Sequence, residues 1–274
     1  MAEFNAPDGT RLYFEEHGDP NGLPVLCLAG LTRTTRDFTY VRPTLAGTRM
    51  IAMDYRGRGR SAWANAETYT IQNEGGDALA LLDHLGISAA AILGTSRGGL
   101  IGIGLAAAVP DRINGLMLND IGPVLELAGL QSIGDYIGVR PTAQTHEDMA
   151  TILENTFEGF TNVPRERWLS EARHQYIETP SGIDLSYDPA LRDGVLKALA
   201  SDVPDGWPLF DLIGDIPLGV IRGAGSNLLS AATVTGMQER RPDMIVAEVP
   251  DRGHVPFLDE PAAVAAITRW LEAL

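Results

Sequence analysis

The sequence predicts an α/β fold: a mostly parallel central sheet covered by helices on both faces, with a helical insertion over one end. Three observations predict it. In the first half of the chain, short apolar runs of strand length alternate with longer segments of helical period, the pattern of strand–helix–strand units. From about Gly122 to Asp211 this alternation stops and aromatic residues recur; from Leu218 onward it returns. Finally, the apolar run Ala89–Leu93 leads into Gly94-Thr95-Ser96-Arg97-Gly98 and then a helix-like stretch, so a tight turn joins a strand to a helix.

The elements follow in order. Arg11–Glu16 reads as a strand after the turn Pro7-Asp8-Gly9, Val25–Leu28 as a short apolar strand ending at Ala29-Gly30, and Met50–Met53 as another ending at Asp54. Asn73–Leu85 carries Ala78, Leu79, Leu81, Leu82 and Leu85 on a helical period, and Gly86 would stop that helix. After the strand Ala89–Leu93, the segment Gly98–Ala108 is apolar nearly all round, as expected of a helix buried behind a sheet. Gly115–Leu118 is a further strand, ending at Asn119-Asp120. The pattern resumes with the strand Leu218–Arg222, the helix Ala231–Arg240, the strand Met244–Val249 and the helix Ala262–Leu274. The core domain is thus predicted over residues 1–121 and 212–274, and a mainly helical cap over 122–211. Within the cap, His146–Phe157 and Arg165–Tyr176 read as helices. Several of Tyr136, Phe157, Phe160, Trp168 and Trp207 are expected to face a pocket, the others forming the cap's own core.

Composition narrows the function classes. The 274 residues are 45% hydrophobic and 21% charged, ordinary for a globular protein. A net charge of −15 would repel duplex nucleic acid and anionic membranes, so neither is an expected partner. The chain opens Met-Ala-Glu-Phe-Asn with no basic segment leading into an apolar one, and no apolar run approaches the roughly 20 residues that span a bilayer. Its single cysteine, Cys27, lies in the apolar run Val25–Ala29 and is expected to be a small buried core residue. These features together lead to an expectation of a cytoplasmic protein. No clustered His, Cys and carboxylate ligands suggest a metal, and no cofactor is expected; the expected partner is a small-molecule substrate.

Ser96 is the leading candidate nucleophile. Its flanking glycines allow the sharp turn that would hold the hydroxyl clear of the sheet. Of five histidines, only His254 is well set to serve as its base. It follows the last strand in Pro250-Asp251-Arg252-Gly253-His254 and precedes the final helix, and the C-terminal ends of parallel strands share one edge, where ligands bind. His17 and His84 read as structural or solvated, and His146 and His174 belong to a segment that mostly presents solvated faces.

Taken together, Leu28-Ala29-Gly30-Leu31, Asp54-Tyr55-Arg56-Gly57-Arg58-Gly59-Arg60-Ser61, the turn Gly94–Gly98 and Gly253-His254, each at the end of a strand and in this order, resemble the α/β-hydrolase superfamily. The resemblance covers nearly the whole chain and implies an α/β-hydrolase fold and a triad of Ser96, His254 and an acid. It also implies an oxyanion hole made by the backbone N–H groups of Arg97 and Leu31. Where family members commonly have His-Gly, this chain has Ala29-Gly30, which leaves the amide donor unaffected. The acid usually follows the strand that corresponds to Leu218–Arg222, yet the loop Gly223–Ser230 holds no carboxylate and Asn227 stands where an Asp is expected. Some relatives, among them certain haloalkane dehalogenases and the amide hydrolase of bacterial vitamin B6 breakdown, place the acid one core strand earlier. On that ground Asp120 is assigned as the acid, with Asn227 the alternative position. The Arg97 side chain is expected either to receive a substrate carboxylate or to pair with an acidic residue such as Asp54.

The function implied is hydrolysis of a small carboxylic ester or lactone through an acyl-enzyme. The alternatives are amide or carbon–carbon bond hydrolysis and, in a different class, non-catalytic binding of a small ligand. A serine nucleophile argues against dehalogenase and epoxide hydrolase chemistry, for which the family uses Asp at this position.

Overall fold

The computed structural model describes residues 2–200 and 205–274; positions 201–204 of the predicted cap lie outside the described residues. The strands are β1 (Ala2–Asn5), β2 (Arg11–Gly18), β3 (Pro24–Leu28), β4 (Arg49–Asp54), β5 (Ala90–Thr95), β6 (Ile113–Asn119), β7 (Tyr176–Thr179), β8 (Gly182–Leu185), β9 (Leu218–Gly223) and β10 (Ile245–Val249). Eight of them form one sheet in the order β1-β2-β4-β3-β5-β6-β9-β10. The pairs β1–β2 and β2–β4 are antiparallel, and every pair from β4 to β10 is parallel. The central strand β5 is buried at every position, as a parallel strand covered on both faces must be.

The helices are α1 (Ile71–His84), α2 (Arg97–Ala108), α3 (Leu127–Tyr136), α4 (His146–Thr156), α5 (Arg165–Gln175), α6 (Leu191–Leu199), α7 (Trp207–Phe210), α8 (Ala231–Arg240) and α9 (Pro261–Ala273). Thr70 caps α1 by accepting from Asn73 N–H, and Thr145 and Asp148 form a reciprocal capping box on α4, each pair meeting N–H groups the helix cannot satisfy itself. Side chains such as Leu26, Ile51, Leu93, Ile267 and Trp270 form the main core between sheet and helices. Cys27 lies within it, fully buried. Among the described residues no helix is long and apolar enough to cross a membrane.

Two elements depart from the sequence expectation. Strand β1 is a short edge strand with only Phe4 buried, too brief for a period to show. The β7–β8 hairpin lies in the segment expected to be mainly helical. The helical pattern of α5 runs straight into β7, and only Ile183 and Leu185 of the hairpin are buried. Gly182, at φ 112°, opens its second strand after the turn, a conformation readily accepted only by glycine.

The segment between β6 and β9 lies over the carboxyl ends of the parallel strands. It bonds to the loop after β4 (Asp188 N–H to Gly57 C=O, 2.7 Å), the loop after β9 (Glu126 N–H to Leu228 C=O, 3.0 Å) and the loop after β10 (Thr161 N–H to Asp251 C=O, 3.1 Å). Of the aromatics expected to divide between a pocket and the segment's own core, three fall in that core. Phe157, Phe160 and Trp168 pack on one another with ring centroids 5.6–5.7 Å apart and, with Met149 and Leu153, form the segment's own core. Trp207 packs on Phe210 and under Arg240. Tyr136 is the exposed member of the set.

Candidate active site

The turn after β5 is built by exclusion of side chains. A Cβ on Gly94 would lie 2.6 Å from the Gly98 carbonyl oxygen, and one on Gly98 would lie 1.9 Å from that of Leu28, so neither position admits another residue without backbone movement. Ser96 between them is held at φ 50° and ψ −115°, a conformation costly for a residue with a Cβ. Its N–H bonds to Asn119 C=O at 2.9 Å, and its own carbonyl accepts from Gly99 and Leu100 to start α2. The hydroxyl is thereby fixed at the carboxyl edge of the sheet, at a helix N-terminus.

Two loops meet it there. His254, after β10, places Nε2 2.9 Å from Ser96 Oγ. Asp120, after β6, places Oδ2 2.7 Å from His254 Nδ1. An ionised carboxylate can only accept, so Nδ1 is the donor and Nε2 is left to accept from the Ser96 hydroxyl. Asp120 is fully buried. Its Oδ1 accepts from Gly223 N–H at 2.7 Å and its Oδ2 also accepts from the Ser226 hydroxyl at 2.6 Å, so its carboxylate is fixed from both sides. Ser226 was not singled out by the sequence, although it adjoins Asn227 in the glycine-serine loop. Asn227 itself is turned elsewhere, donating to Glu158 Oε2 at 3.0 Å.

Leu31 and Arg97 flank the same place. A Cβ on Gly30 would come within 4.0 Å of Ser96 Cβ, which sets the loop after β3 against Ser96. Among the described residues, neither the Leu31 N–H nor the Arg97 N–H has an acceptor. The Arg97 side chain pairs with an acidic residue, one of its two expected settings, but the partner is Glu74 in place of Asp54. Its Nε donates to Glu74 Oε2 at 2.5 Å and its Nη2 to Tyr69 C=O at 3.0 Å. Asp54 is occupied by the N–H groups of Thr35 (2.7 Å) and Arg60 (2.9 Å), because it sits where the loops after β3 and β4 need an acceptor.

A second charged cluster joins the loop after β3 to α5. Arg33 donates to Asp37 and to Glu171 at 3.1 Å each, and Gln175 donates to Glu171 at 3.0 Å. Burial pushes the Asp37 carboxyl up to about 6, against the pull of Arg33. The remaining histidines have structural settings. His17 bonds to Glu15 at 3.0 Å, His84 stacks on Phe4, His146 lies 3.8 Å from Glu178, and His174 packs on Tyr40.

Comparison with known proteins places the chain in a family. A model described as the alpha/beta hydrolase family matches residues 25–267. A 3-hydroxybutyrate-oligomer hydrolase of Cupriavidus necator is 36% identical over 266 residues, 93% of this chain and 90% of that protein. The crystal structure of an alpha/beta hydrolase from Novosphingobium aromaticivorans is 38% identical, with a TM-score of 0.91 over 100% of this chain and 98% of that one. A 2-(acetamidomethylene)succinate hydrolase of Mesorhizobium japonicum is 26% identical over 81% of this chain and 78% of that protein. The chain belongs to the alpha/beta hydrolase family and is a hydrolase of that fold.

Proposed function

We propose that this hydrolase cleaves a small carboxylic ester, with Ser96 as nucleophile, His254 as general base and acid, and Asp120 as the acid of the triad. The observation that carries the reading is the unbroken relay from Ser96 Oγ to His254 (2.9 Å) and on to Asp120 (2.7 Å), assembled from loops after three separate strands. Ser96 Oγ attacks the ester carbonyl carbon as His254 Nε2 takes its proton. The developing oxyanion is met by the free N–H groups of Leu31 and Arg97, and Asp120 stabilises the imidazolium. His254 then protonates the departing alcohol, leaving an acyl group on Ser96. A water deprotonated by the same nitrogen attacks the acyl carbon and releases the acid. In this reading, the segment from 122 to 211 is a cap that roofs the site.

The ester class is supported by the 36% identity to a hydrolase of 3-hydroxybutyrate oligomers, molecules whose units are joined by ester bonds. A short oligomer or lactone of a hydroxy acid is therefore the substrate class we favour. The same machinery serves amide cleavage, and the 26% identical 2-(acetamidomethylene)succinate hydrolase is the reason to test it. A fluorophosphonate probe should label Ser96, and Ser96→Ala should abolish both labelling and hydrolysis of 3-hydroxybutyrate dimer. Turnover of that dimer by Ser96→Ala at the wild-type rate would overturn the assignment, and preference for the matching amide would move it to C–N hydrolysis.

A further inference from the structure

We infer that Glu74 is a positioning residue: its one buried carboxylate, acting through two arginines, sets both oxyanion donors against Ser96. The inference rests on the proposed roles of Ser96, Leu31 and Arg97.

Glu74 lies in the first turn of α1 and is fully buried, although Thr70 already caps that helix. Its carboxylate is turned inward. Oε1 accepts from Arg58 Nη1 at 2.7 Å and Oε2 from Arg97 Nε at 2.5 Å. Each arginine then grips backbone on its own side of the site. Arg58, itself fully buried, donates from Nε to the Leu31 carbonyl at 2.9 Å and from Nη1 to the Arg56 carbonyl at 2.7 Å. Its guanidinium lies over the rings of Tyr55 and Tyr69 at 5.4 and 5.5 Å. The Tyr55 hydroxyl donates to the Ala29 carbonyl at 3.2 Å. The loop is thus pinned before Gly30 by Tyr55 and at Leu31 by Arg58. On the other side, the Arg97 side chain is fixed between Glu74 and Tyr69 C=O, which fixes the first residue of α2 and its N–H.

The arrangement is costly to bury, the more so because Arg58 Nη2 is buried without a hydrogen-bond partner among the described residues. A charge withdrawn from water is tolerated only with partners and good geometry, and burial alone pushes the Arg58 guanidinium down from its usual range. A single ion pair would satisfy one arginine. Here both carboxylate oxygens are used, one for each arm, and the two arms end on the two residues whose N–H groups flank Ser96. Oxyanion stabilisation depends on donors held within about 2.7–3.1 Å of an oxygen that exists only transiently. A rigid shared anchor keeps the two donors in register with each other.

The test uses the rate of Ser96 labelling by a fluorophosphonate, whose phosphoryl oxygen occupies the oxyanion position, with kcat and KM on p-nitrophenyl butyrate and on an anionic ester of the same alcohol. The variants are Arg97→Met, which cuts one arm and leaves the Glu74–Arg58 pair, Arg97→Lys, and Glu74→Gln. We expect Arg97→Met to label about 10-fold more slowly, a part of the 10²–10³ lost when a donor is removed outright. Its kcat should fall in step on both esters, with KM within about twofold and a folded protein by thermal melt, and Arg97→Lys should recover part of the loss. Glu74→Gln should lower kcat further; should it fail to fold, Arg97→Met decides alone. Labelling of Arg97→Met at the wild-type rate, or a defect confined to KM for the anionic ester, overturns the inference, the latter because it makes Arg97 a substrate-carboxylate receptor. A wild-type protein whose Ser96 is not labelled overturns the proposed function, and this inference with it; a labelled wild type with unaffected variants overturns this inference alone.

Discussion

The loops after β6 and β9 leave neighbouring parallel strands at the same edge of the sheet, and they divide one task between them. The β6 loop carries the charge, in Asp120. The β9 loop carries the donors that hold it, Gly223 N–H and the Ser226 hydroxyl. The register locks them together, since Asn119 sits beside Ile221 and Asp120 N–H bonds to Ile221 C=O at 2.7 Å. Ser226 Oγ also accepts from the N–H groups of Leu228 and Leu229, which leaves its own proton for Asp120. Adjacent strands are only about 4.7–4.9 Å apart, so an acid at either strand end can reach the same face of a histidine. The difference between the loops teaches that the chain position of a carboxylate that meets a histidine is free where its geometry is not.

The largest effect expected is at the residue both loops serve. Ser96→Ala should cost about 10⁶-fold in kcat, as for nucleophile loss in other serine triads, with the fold intact because Ala fits between Gly94 and Gly98. Asp120→Asn should follow at about 10⁴-fold, since the amide favours the wrong tautomer and leaves the imidazolium without its counter-charge. Stopped-flow hydrolysis of p-nitrophenyl butyrate would measure both. An Asp120→Asn variant with unchanged turnover would break the proposed division of labour, because the β6 loop would then carry no needed charge.

Most of the core was legible in the sequence because its signals are local. The apolar runs at β3 to β6 and the Gly-x-Ser-x-Gly turn are each contained within a few residues, and burial of β5 on both faces follows from its composition alone. His254 was singled out from topology, as the one histidine after a late strand, and it lies 2.9 Å from Ser96 Oγ. The contact of Asp120 with His254 was anticipated only through a family resemblance, because a carboxylate after a strand is equally a turn residue until its partner 134 positions away is known. Ser226, Glu74 and Arg58 gave no such signal. Their roles lie in pairings across the fold, such as Ser226 with Asp120, and a buried carboxylate on a helix reads in sequence like a solvated one. The aromatics of the segment between β6 and β9 could not be sorted from sequence for a related reason. Phe157, Phe160 and Trp168 mark a core by their size, and periodicity does not say whether that core is a pocket wall or the segment's own interior.

Ser226 sharpens the comparison on a smaller scale. Ser226→Ala removes one of the donors fixing Asp120 and leaves Gly223 N–H and His254 in place. We expect roughly a 10-fold fall in kcat with KM unchanged, near the low end of the about 1.5–3 kcal/mol for a lost hydrogen bond to a charged group. Ser226→Thr, which keeps a hydroxyl, should retain most of the activity if the added methyl is accommodated. A fall in Ser226→Ala that appeared only as lower thermal stability would make the serine a loop brace with no part in holding the acid.

The smallest effect is expected at Asn227, and it separates the two loops most directly. Its amide donates to Glu158 Oε2 at 3.0 Å, away from the Asp120–His254 contact, so Asn227→Ala should leave kcat/KM within about twofold, the range of a surface substitution. Asn227→Asp replaces a donor with a second carboxylate facing Glu158, and like charges at hydrogen-bond distance repel. The variant should be slightly less stable and no more active. The decisive form is the double variant, Asp120→Asn with Asn227→Asp. Moving the charge one strand along restores a triad only if the new carboxylate can reach His254 Nδ1. In this chain the amide put in place of the Asp120 carboxylate would still occupy that contact, fixed by Gly223 and Ser226, while the carboxylate introduced at position 227 would lie against Glu158. We therefore expect no rescue. Recovery of activity by more than about tenfold over Asp120→Asn alone would show that the β9 loop can swing inward, and that the two strand ends are interchangeable in this molecule.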